Sequence, residues 1–141
     1  MSQNNESAFE ILKVNGVEFS HDDLFRVVHD FYGRIQDDPV LKIPFASVAD
    51  WPEHIENLTH FWWIRFGGKP YRFSLYNPVG KHFFAGFNQE LLTRWLSIFH
   101  ATLDKNLTPQ QAALWKVISE RIGESLLIKN DLFKQEFESK K

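Results

Sequence analysis

The segment with the strongest bearing on the architecture is Tyr76-Asn77-Pro78-Val79-Gly80-Lys81-His82-Phe83-Phe84. It places one histidine directly after a proline and a glycine. A tight turn followed by one helical turn would direct the His82 imidazole into an apolar interior. A neutral imidazole there needs a partner for its second ring nitrogen, either a backbone carbonyl or a metal ion. Taken alone, this segment favours a hydrogen-bonded core histidine over a metal ligand.

Composition is consistent with one domain over residues 1–141. We expect a core of about residues 20–128, a polar N-terminal extension and a charged C-terminal tail. The aromatic content of 16% is high, with 14 Phe and 5 Trp. Such a core suits packing around a flat ligand and suits close packing of the rings themselves, and composition does not choose between them.

Charge and cysteine usage exclude several classes of protein. The net charge of −2 supplies no basic field for nucleic acid. The chain has no cysteine, which excludes disulfides, thiolate zinc sites and iron–sulfur clusters. The polar start lacks the apolar run of a signal peptide, and no stretch approaches the ~20 apolar residues that span a bilayer. We therefore expect a cytoplasmic protein with no membrane partner.

Four helices are predicted from capping residues and apolar periodicity. Ser20, Asp50, Asn88 and Thr108 are good N-caps, and Pro109 follows the last of them. The apolar faces repeat at spacings of three and four residues. They comprise Leu24, Val28, Phe31 and Ile35; Ile55, Leu58 and Trp62; Leu92, Trp95, Phe99 and Leu103; and Leu114, Ile118, Ile122 and Leu126.

The remaining segments complete an all-α prediction. The segment Phe9–Gly16 is interpreted as a short helix closed by its glycine, and no strand is identified. Residues 69–87 are rich in proline and glycine, which indicates loops with one short helix around His82. The charged tail after Lys129 is expected to fray.

Three polar side chains stand on or beside the predicted apolar faces. Tyr32 lies at the edge of the first face, His54 opens the inward face of the second helix, and Trp95 lies within the third face. Singly, each is consistent with an ordinary core or helix-start residue. Together with His82, they would place hydrogen-bond donors on one side of an aromatic-rich site and a metal-ligand side chain on the other.

Four segments, in order and with similar spacing, resemble group III truncated haemoglobins over residues 20–128. They are Phe31-Tyr32-Gly33-Arg34-Ile35 with Asp38-Pro39-Val40-Leu41; Trp51-Pro52-Glu53-His54 leading to Phe61-Trp62; Pro78 with His82; and Arg94-Trp95-Leu96 with Phe99. The resemblance implies a truncated-globin-like two-over-two helical sandwich around haem b, with a loop-rich proximal segment. Residues 67–75 and 83–86 fit this pattern loosely.

The resemblance also implies roles by position. His82 corresponds to the proximal iron ligand, and Lys81 to a basic residue that could pair with a haem propionate. Tyr32, His54 and Trp95 correspond to the polar distal residues. Four residues correspond to apolar positions facing or bordering the haem: Phe45, Leu58, Phe61 and Trp62. His21, His29, His60 and His100 are rival histidines, and His60 points ~120° away from His54 around its helix.

By resemblance, the ligands are the diatomic gases O2, NO and CO. Tyr32 is expected to be the principal donor to the ligand, Trp95 the second, and His54 a gate or accessory donor. Several donors favour NO detoxification or peroxidase-like chemistry, with an external reductase, over bulk transport. We expect a monomer or weak dimer. The alternatives are a haem-based gas sensor without turnover and, less favoured, a haem-free globin-like domain.

Overall fold

In the computed structural model, which describes residues 9–43, 45–46, 48–72 and 88–139, two short strands precede four helices. The strands are β1 (Leu12–Val14) and β2 (Val17–Phe19). The helices are α1 (His21–Asp37), α2 (Trp51–Arg65), α3 (Gln89–Asn106) and α4 (Pro109–Ser139). The four helices and their predicted starts are confirmed. None of the helices in these ranges is long and apolar enough to cross a membrane.

The predicted caps form the expected hydrogen bonds. Ser20 and Asp23 form a reciprocal capping box at the start of α1. The Asp50 side chain accepts from the Glu53 backbone N–H at 3.0 Å, and the Asn88 side chain accepts from the N–H of Leu91 at 2.9 Å. These bonds satisfy backbone donors that the first turn of a helix leaves without an intrahelical partner.

The N-terminal segment corrects the prediction of a short helix over Phe9–Gly16. β1 and β2 form an antiparallel hairpin in which Leu12 pairs with Phe19 and Val14 with Val17. Asn15 and Gly16 make the turn with φ angles of 50° and 81°. Asparagine followed by glycine tolerates this left-handed backbone and is the strongest short hairpin signal, so local turn chemistry prevails over the apparent helical spacing.

The packing follows a two-over-two arrangement. α1 packs against α2 and α3, α3 packs against α4, and β2 packs against α4. Two side-chain hydrogen bonds connect the ends of neighbouring elements. Gln111 Nε2 donates to the Glu18 carbonyl at 2.8 Å, and Asn106 Nδ2 donates to Asp30 Oδ2 at 2.8 Å. The first bond holds the start of α4 against β2, and the second holds the end of α3 against α1.

A row of four aromatic rings forms the centre of the core. Trp95 stacks on Phe99 with ring centroids 5.1 Å apart, and Phe99 stacks on Trp62 at 5.8 Å. Trp62 meets Trp115 edge-on at 5.2 Å. We call Trp95, Phe99, Trp62 and Trp115 the aromatic row. It joins α2, α3 and α4, because each helix contributes at least one ring.

The last helix is longer than predicted. α4 continues to Ser139, whereas the sequence suggested that the chain frays after Lys129. Residues 130–139 contain no proline or glycine that would end a helix. Backbone hydrogen bonding therefore extends through the charged tail.

Candidate functional site

Three of the predicted site residues lie together at one end of α1 and α2. The rings of Tyr32 and His54 are 5.3 Å apart and nearly perpendicular. Phe45 contacts both, at 5.9 Å from Tyr32 and 6.2 Å from His54. Tyr32 is buried, whereas His54 and Phe45 are half-buried. The arrangement places a phenol and an imidazole beside one another at the boundary of the core.

Helical geometry explains why Tyr32 and His54 meet. Phe31 faces the core, so Tyr32, one residue further along α1, projects from the edge of that face. His54 is in the first turn of α2, where Asp50 caps the helix and Pro52 fixes its backbone. The caps therefore set the positions from which both side chains project.

Trp95 and Tyr32 both contact the ring of Phe31. The Phe31 ring is 4.8 Å from Tyr32 and 5.3 Å from Trp95. Trp95 is 7% exposed, and its buried indole Nε1 has no hydrogen-bond acceptor among the residues that the structure describes. A buried N–H without an acceptor costs ~1–3 kcal/mol. This side chain therefore fits a bound group that carries an acceptor atom.

The residues predicted as apolar positions beside the haem include three on α2. Leu58 is buried on α2 one turn after His54, and Phe61 is half-buried and packs against the core. Trp62 points into the aromatic row, where it contacts Phe99 and Trp115. Leu58 and Phe61 therefore both pack in the core, and the ring of Phe61 contacts Trp62 at 5.3 Å.

An ion pair connects α3 with the turn that follows α1. Arg94 Nε and Nη2 donate to Asp38 Oδ2 and Oδ1, each at 2.8 Å. The same carboxylate accepts from the backbone N–H groups of Val40 and Leu41 at 3.1 and 2.8 Å. These bonds lower the pKa of Asp38 to about 2, the Arg94 hydrogen bond having the largest effect. The pair fixes α3, which carries Trp95, against the turn that leads to Phe45.

Two of the rival histidines have structural partners of their own. His60 Nε2 accepts from the Tyr71 backbone N–H at 3.1 Å, and burial lowers the pKa of His60. His21 Nε2 lies 2.7 Å from the Tyr71 hydroxyl, and burial likewise lowers the pKa of His21. Both imidazoles are therefore neutral near pH 7 and hold the segment that follows α2.

His82 and Lys81 lie outside the described residues, so the predicted iron ligand and propionate partner stay predictions. Within the described part of the chain, no group of three or more His, Asp or Glu side chains is arranged to hold a metal ion. The structure therefore describes the predicted hydrogen-bond donors Tyr32, His54 and Trp95, but not the predicted iron ligand.

The sequence analysis assigned no role in the site to two contributors, although their residues occur in the segments that carry the resemblance. Trp51 contacts Tyr32, Phe45 and His54 at centroid distances of 6.0, 6.4 and 5.3 Å. The Asp38–Arg94 pair joins residues 56 positions apart. Trp51 was detectable as a large aromatic at the first position of α2, three residues before His54. The ion pair was not, since no local spacing relates its two partners.

Comparisons with known proteins agree with this arrangement. Residues 20–123 match the sequence model of the bacterial-like globin family. The fold is similar to the crystal structure of a group III truncated haemoglobin from Campylobacter jejuni, with a TM-score of 0.68. That alignment covers 84% of this chain and 94% of the other at 18% identity, which is evidence for the fold. Among curated proteins, none matches this sequence significantly.

Proposed function

Because this chain belongs to the bacterial-like globin family, we propose that it holds haem b through His82 and binds O2, NO and CO beside Tyr32, His54 and Trp95. Membership of the globin family implies a haem cofactor and diatomic gases as ligands. When bound, haem would supply an iron with one open coordination position for such a gas.

The observation that carries the proposal is the Trp95 indole. Its N–H is buried and has no acceptor among the described residues, yet an indole nitrogen can only donate. A diatomic ligand with a partly negative outer atom would supply the missing acceptor. The other distal residues agree with this role, since the Tyr32 phenol and the His54 imidazole are grouped on the neighbouring helices.

The chain's own residues then have distinct tasks. Tyr32 donates from its hydroxyl and is the principal donor, and Trp95 donates from Nε1. His54, half-buried in the first turn of α2, is the gate or accessory donor. Phe45, Leu58 and Phe61 would help to hold the haem and exclude water from it, and Trp62 would support them through its contact with Phe61. Lys81 would pair with a propionate of the haem.

Several donors around one site favour retention of the ligand over its release. We therefore assign the site to chemistry on O2 or NO, either NO detoxification or peroxidase-like turnover, instead of bulk transport. Such turnover consumes electrons, and an external reductase would supply them.

The first test is the visible spectrum of the purified protein, ferric and dithionite-reduced, before and after addition of carbon monoxide. We expect a strong Soret band that shifts with carbon monoxide, and we expect His82→Ala to bind haem poorly or to lose histidine ligation. Absence of a Soret band after addition of haem would refute the proposal. Unchanged ligation in His82→Ala would assign the proximal role to another histidine.

The second test concerns the donors. Trp95→Phe and Tyr32→Phe should each raise the dioxygen dissociation rate, by ~5-fold or more if one hydrogen bond of ~1 kcal/mol is lost. Trp115→Phe is the matched control, because its Nε1 is also buried without an acceptor among the described residues, whereas its ring contacts are with Phe19, Trp62, Phe66 and Phe99. Stopped-flow displacement by carbon monoxide measures the rate. Equal effects of Trp95→Phe and Trp115→Phe would remove Trp95 from the donor role.

A further inference from the structure

The segment that follows α2 is held against the helices through Tyr71. The backbone N–H of Tyr71 donates to His60 Nε2 at 3.1 Å, and its hydroxyl lies 2.7 Å from His21 Nε2. Its ring also packs on both imidazoles, with centroid distances of 4.6 Å to His60 and 5.3 Å to His21. One residue is therefore held between a histidine of α1 and a histidine of α2.

The bond to His60 exists only while this imidazole is neutral. A backbone N–H donates and cannot accept, so His60 Nε2 must carry a free lone pair. Protonation places a hydrogen on Nε2, which removes the acceptor and sets two N–H groups against each other. His60 is 6% exposed, so its charged form would gain hydration when the segment that carries Tyr71 moves away.

The contact with His21 does not depend on protonation in this way. A tyrosine hydroxyl both donates and accepts, so Tyr71 can donate to neutral His21 Nε2 or accept from the protonated ring. His21 also stacks on Phe9 with centroids 3.9 Å apart and an interplanar angle of 7°, a contact that an imidazolium retains. Of the two imidazoles, only that of His60 loses its bond to Tyr71 in acid.

The charges around His60 oppose its protonation. Burial, followed by the guanidinium of Arg72, lowers the pKa of His60, and His21 on α1 interacts with it electrostatically. Glu56, one turn earlier on α2, lies 3.5 Å from Arg72 Nη1, and Asp22 acts on His21. None of the carboxylates that the structure describes raises the pKa of His60. A charged His60 therefore faces groups of its own sign without a carboxylate to offset them.

We propose that His60 and Tyr71 form a pH-sensitive switch, in which neutral His60 holds residues 70–72 against α1 and α2 and protonated His60 releases them. The Trp63 indole, which does not titrate, keeps its bond to the Lys69 carbonyl, so release begins after Lys69. It opens one end of the groove of about 740 Å³ between α1 and α2, because Tyr71 lines that groove. The inference does not rest on the function proposed above.

The direction of the pH effect follows from the two forms of the segment. The pKa of His60 is lowered while the segment is held, and it returns to the ordinary value of 6.5 when the segment opens. The open form therefore binds more protons, and its population rises as the pH falls below about 6.5. Between pH 7.5 and pH 5.5 the rise should be ~10-fold, since one additional proton binds to the open form.

Amide hydrogen exchange at Tyr71 measures the open population. The full-length protein is isotope-labelled, reduced with dithionite and saturated with carbon monoxide, so that any bound haem is diamagnetic, and exchange is followed by NMR at both pH values. Division by the intrinsic exchange rate at each pH gives a protection factor. We expect the protection factor of the Tyr71 amide to fall ~10-fold in acid, and that of the Val28 amide, in the core of α1, to stay constant.

Three glutamine variants identify the group that titrates. His60→Gln keeps an acceptor, because its amide oxygen lies near the position of Nε2, but it does not titrate, so the Tyr71 protection factor should be equal at both pH values. His21→Gln is the matched control and should retain the pH dependence. His100→Gln is a second control, since burial also lowers the pKa of His100, which lies on α3.

Three results would overturn the proposal. The first is a Tyr71 protection factor that changes less than about twofold in the wild type. The second is a pH dependence that survives His60→Gln, and the third is one that is lost in His21→Gln or shared by the Val28 amide. Should circular dichroism show that His60→Gln is poorly folded, the wild type decides. The Tyr71 amide proton and the His60 ring proton should then titrate with one midpoint, and different midpoints would refute the switch.

Discussion

The Asp38 carboxylate accepts four hydrogen bonds, two from Arg94 and two from the backbone of the turn that follows α1. These donors favour the ionised form, which is why the pKa of Asp38 falls from 3.8 to about 2. A carboxyl whose pKa is lower in the folded state contributes stability above its unfolded pKa. That contribution is lost as the pH falls through the folded value.

We therefore predict that Asp38→Asn lowers the midpoint of urea unfolding at pH 6, and that its difference from the wild type shrinks between about pH 4 and pH 2. Arg94→Gln should have the same pH dependence, since it removes the donor with the largest effect on the Asp38 pKa. The measurement is urea unfolding at a series of pH values. A difference that stays constant from pH 6 to pH 2.5 would contradict the assignment.

At the residue scale, helical periodicity predicted that Tyr32 and His54 lie near each other, but it did not predict the ion pair of Asp38. Tyr32 and His54 come together as expected, because caps and helical periodicity fix where each projects. The partner of Asp38 could not be predicted, since Arg94 approaches it only after α1 and α3 have packed. The roles of Tyr32, His54 and Trp95 towards a ligand stay predictions.

The end of α2 depends on two consecutive glycines. Gly67 adopts a left-handed φ of 100°, which lets the chain reverse. Gly68 then passes beneath the Trp63 indole, so close that a β-carbon at Gly68 would lie 2.2 Å from the ring. Trp63 is buried, and its Nε1 donates to the Lys69 carbonyl at 2.8 Å. The indole therefore cannot move aside without breaking this bond.

Gly68→Ala should lower the free energy of unfolding by ~1–3 kcal/mol, because the added methyl group overpacks against the indole. Gly33→Ala is the matched control, since a β-carbon at this position of α1 meets nothing within 4 Å. It should raise the free energy of unfolding by ~0.5–1 kcal/mol, because alanine loses less backbone freedom in a helix. Urea unfolding measures both. A neutral Gly68→Ala variant would show that the indole relocates.

At the scale of elements, helix starts were predictable and the first segment was not. N-caps act through bonds within four residues, so Ser20, Asp50, Asn88 and Thr108 could be identified locally. In the N-terminal segment, Gly16 was interpreted as a helix stop, whereas it forms the second position of a hairpin turn with Asn15. The pairing of Leu12 with Phe19 is what decides between the two interpretations.

For the whole molecule, the all-α two-over-two prediction is confirmed by the order and packing of the helices and by the similarity to a truncated haemoglobin. Composition left open whether the aromatic rings would pack on one another or around a flat ligand. Trp62, Phe99 and Trp115 pack on one another, and Trp95 joins them with an N–H that has no acceptor within the described part of the chain.

The aromatic row also has an optical consequence. Indoles emit light at wavelengths that a porphyrin absorbs, and three of the chain's five tryptophans belong to this row, which begins at the proposed ligand pocket with Trp95. Energy transfer from these tryptophans to a bound porphyrin would quench their fluorescence. The intrinsic fluorescence of the protein would therefore measure the fraction of molecules that have bound porphyrin.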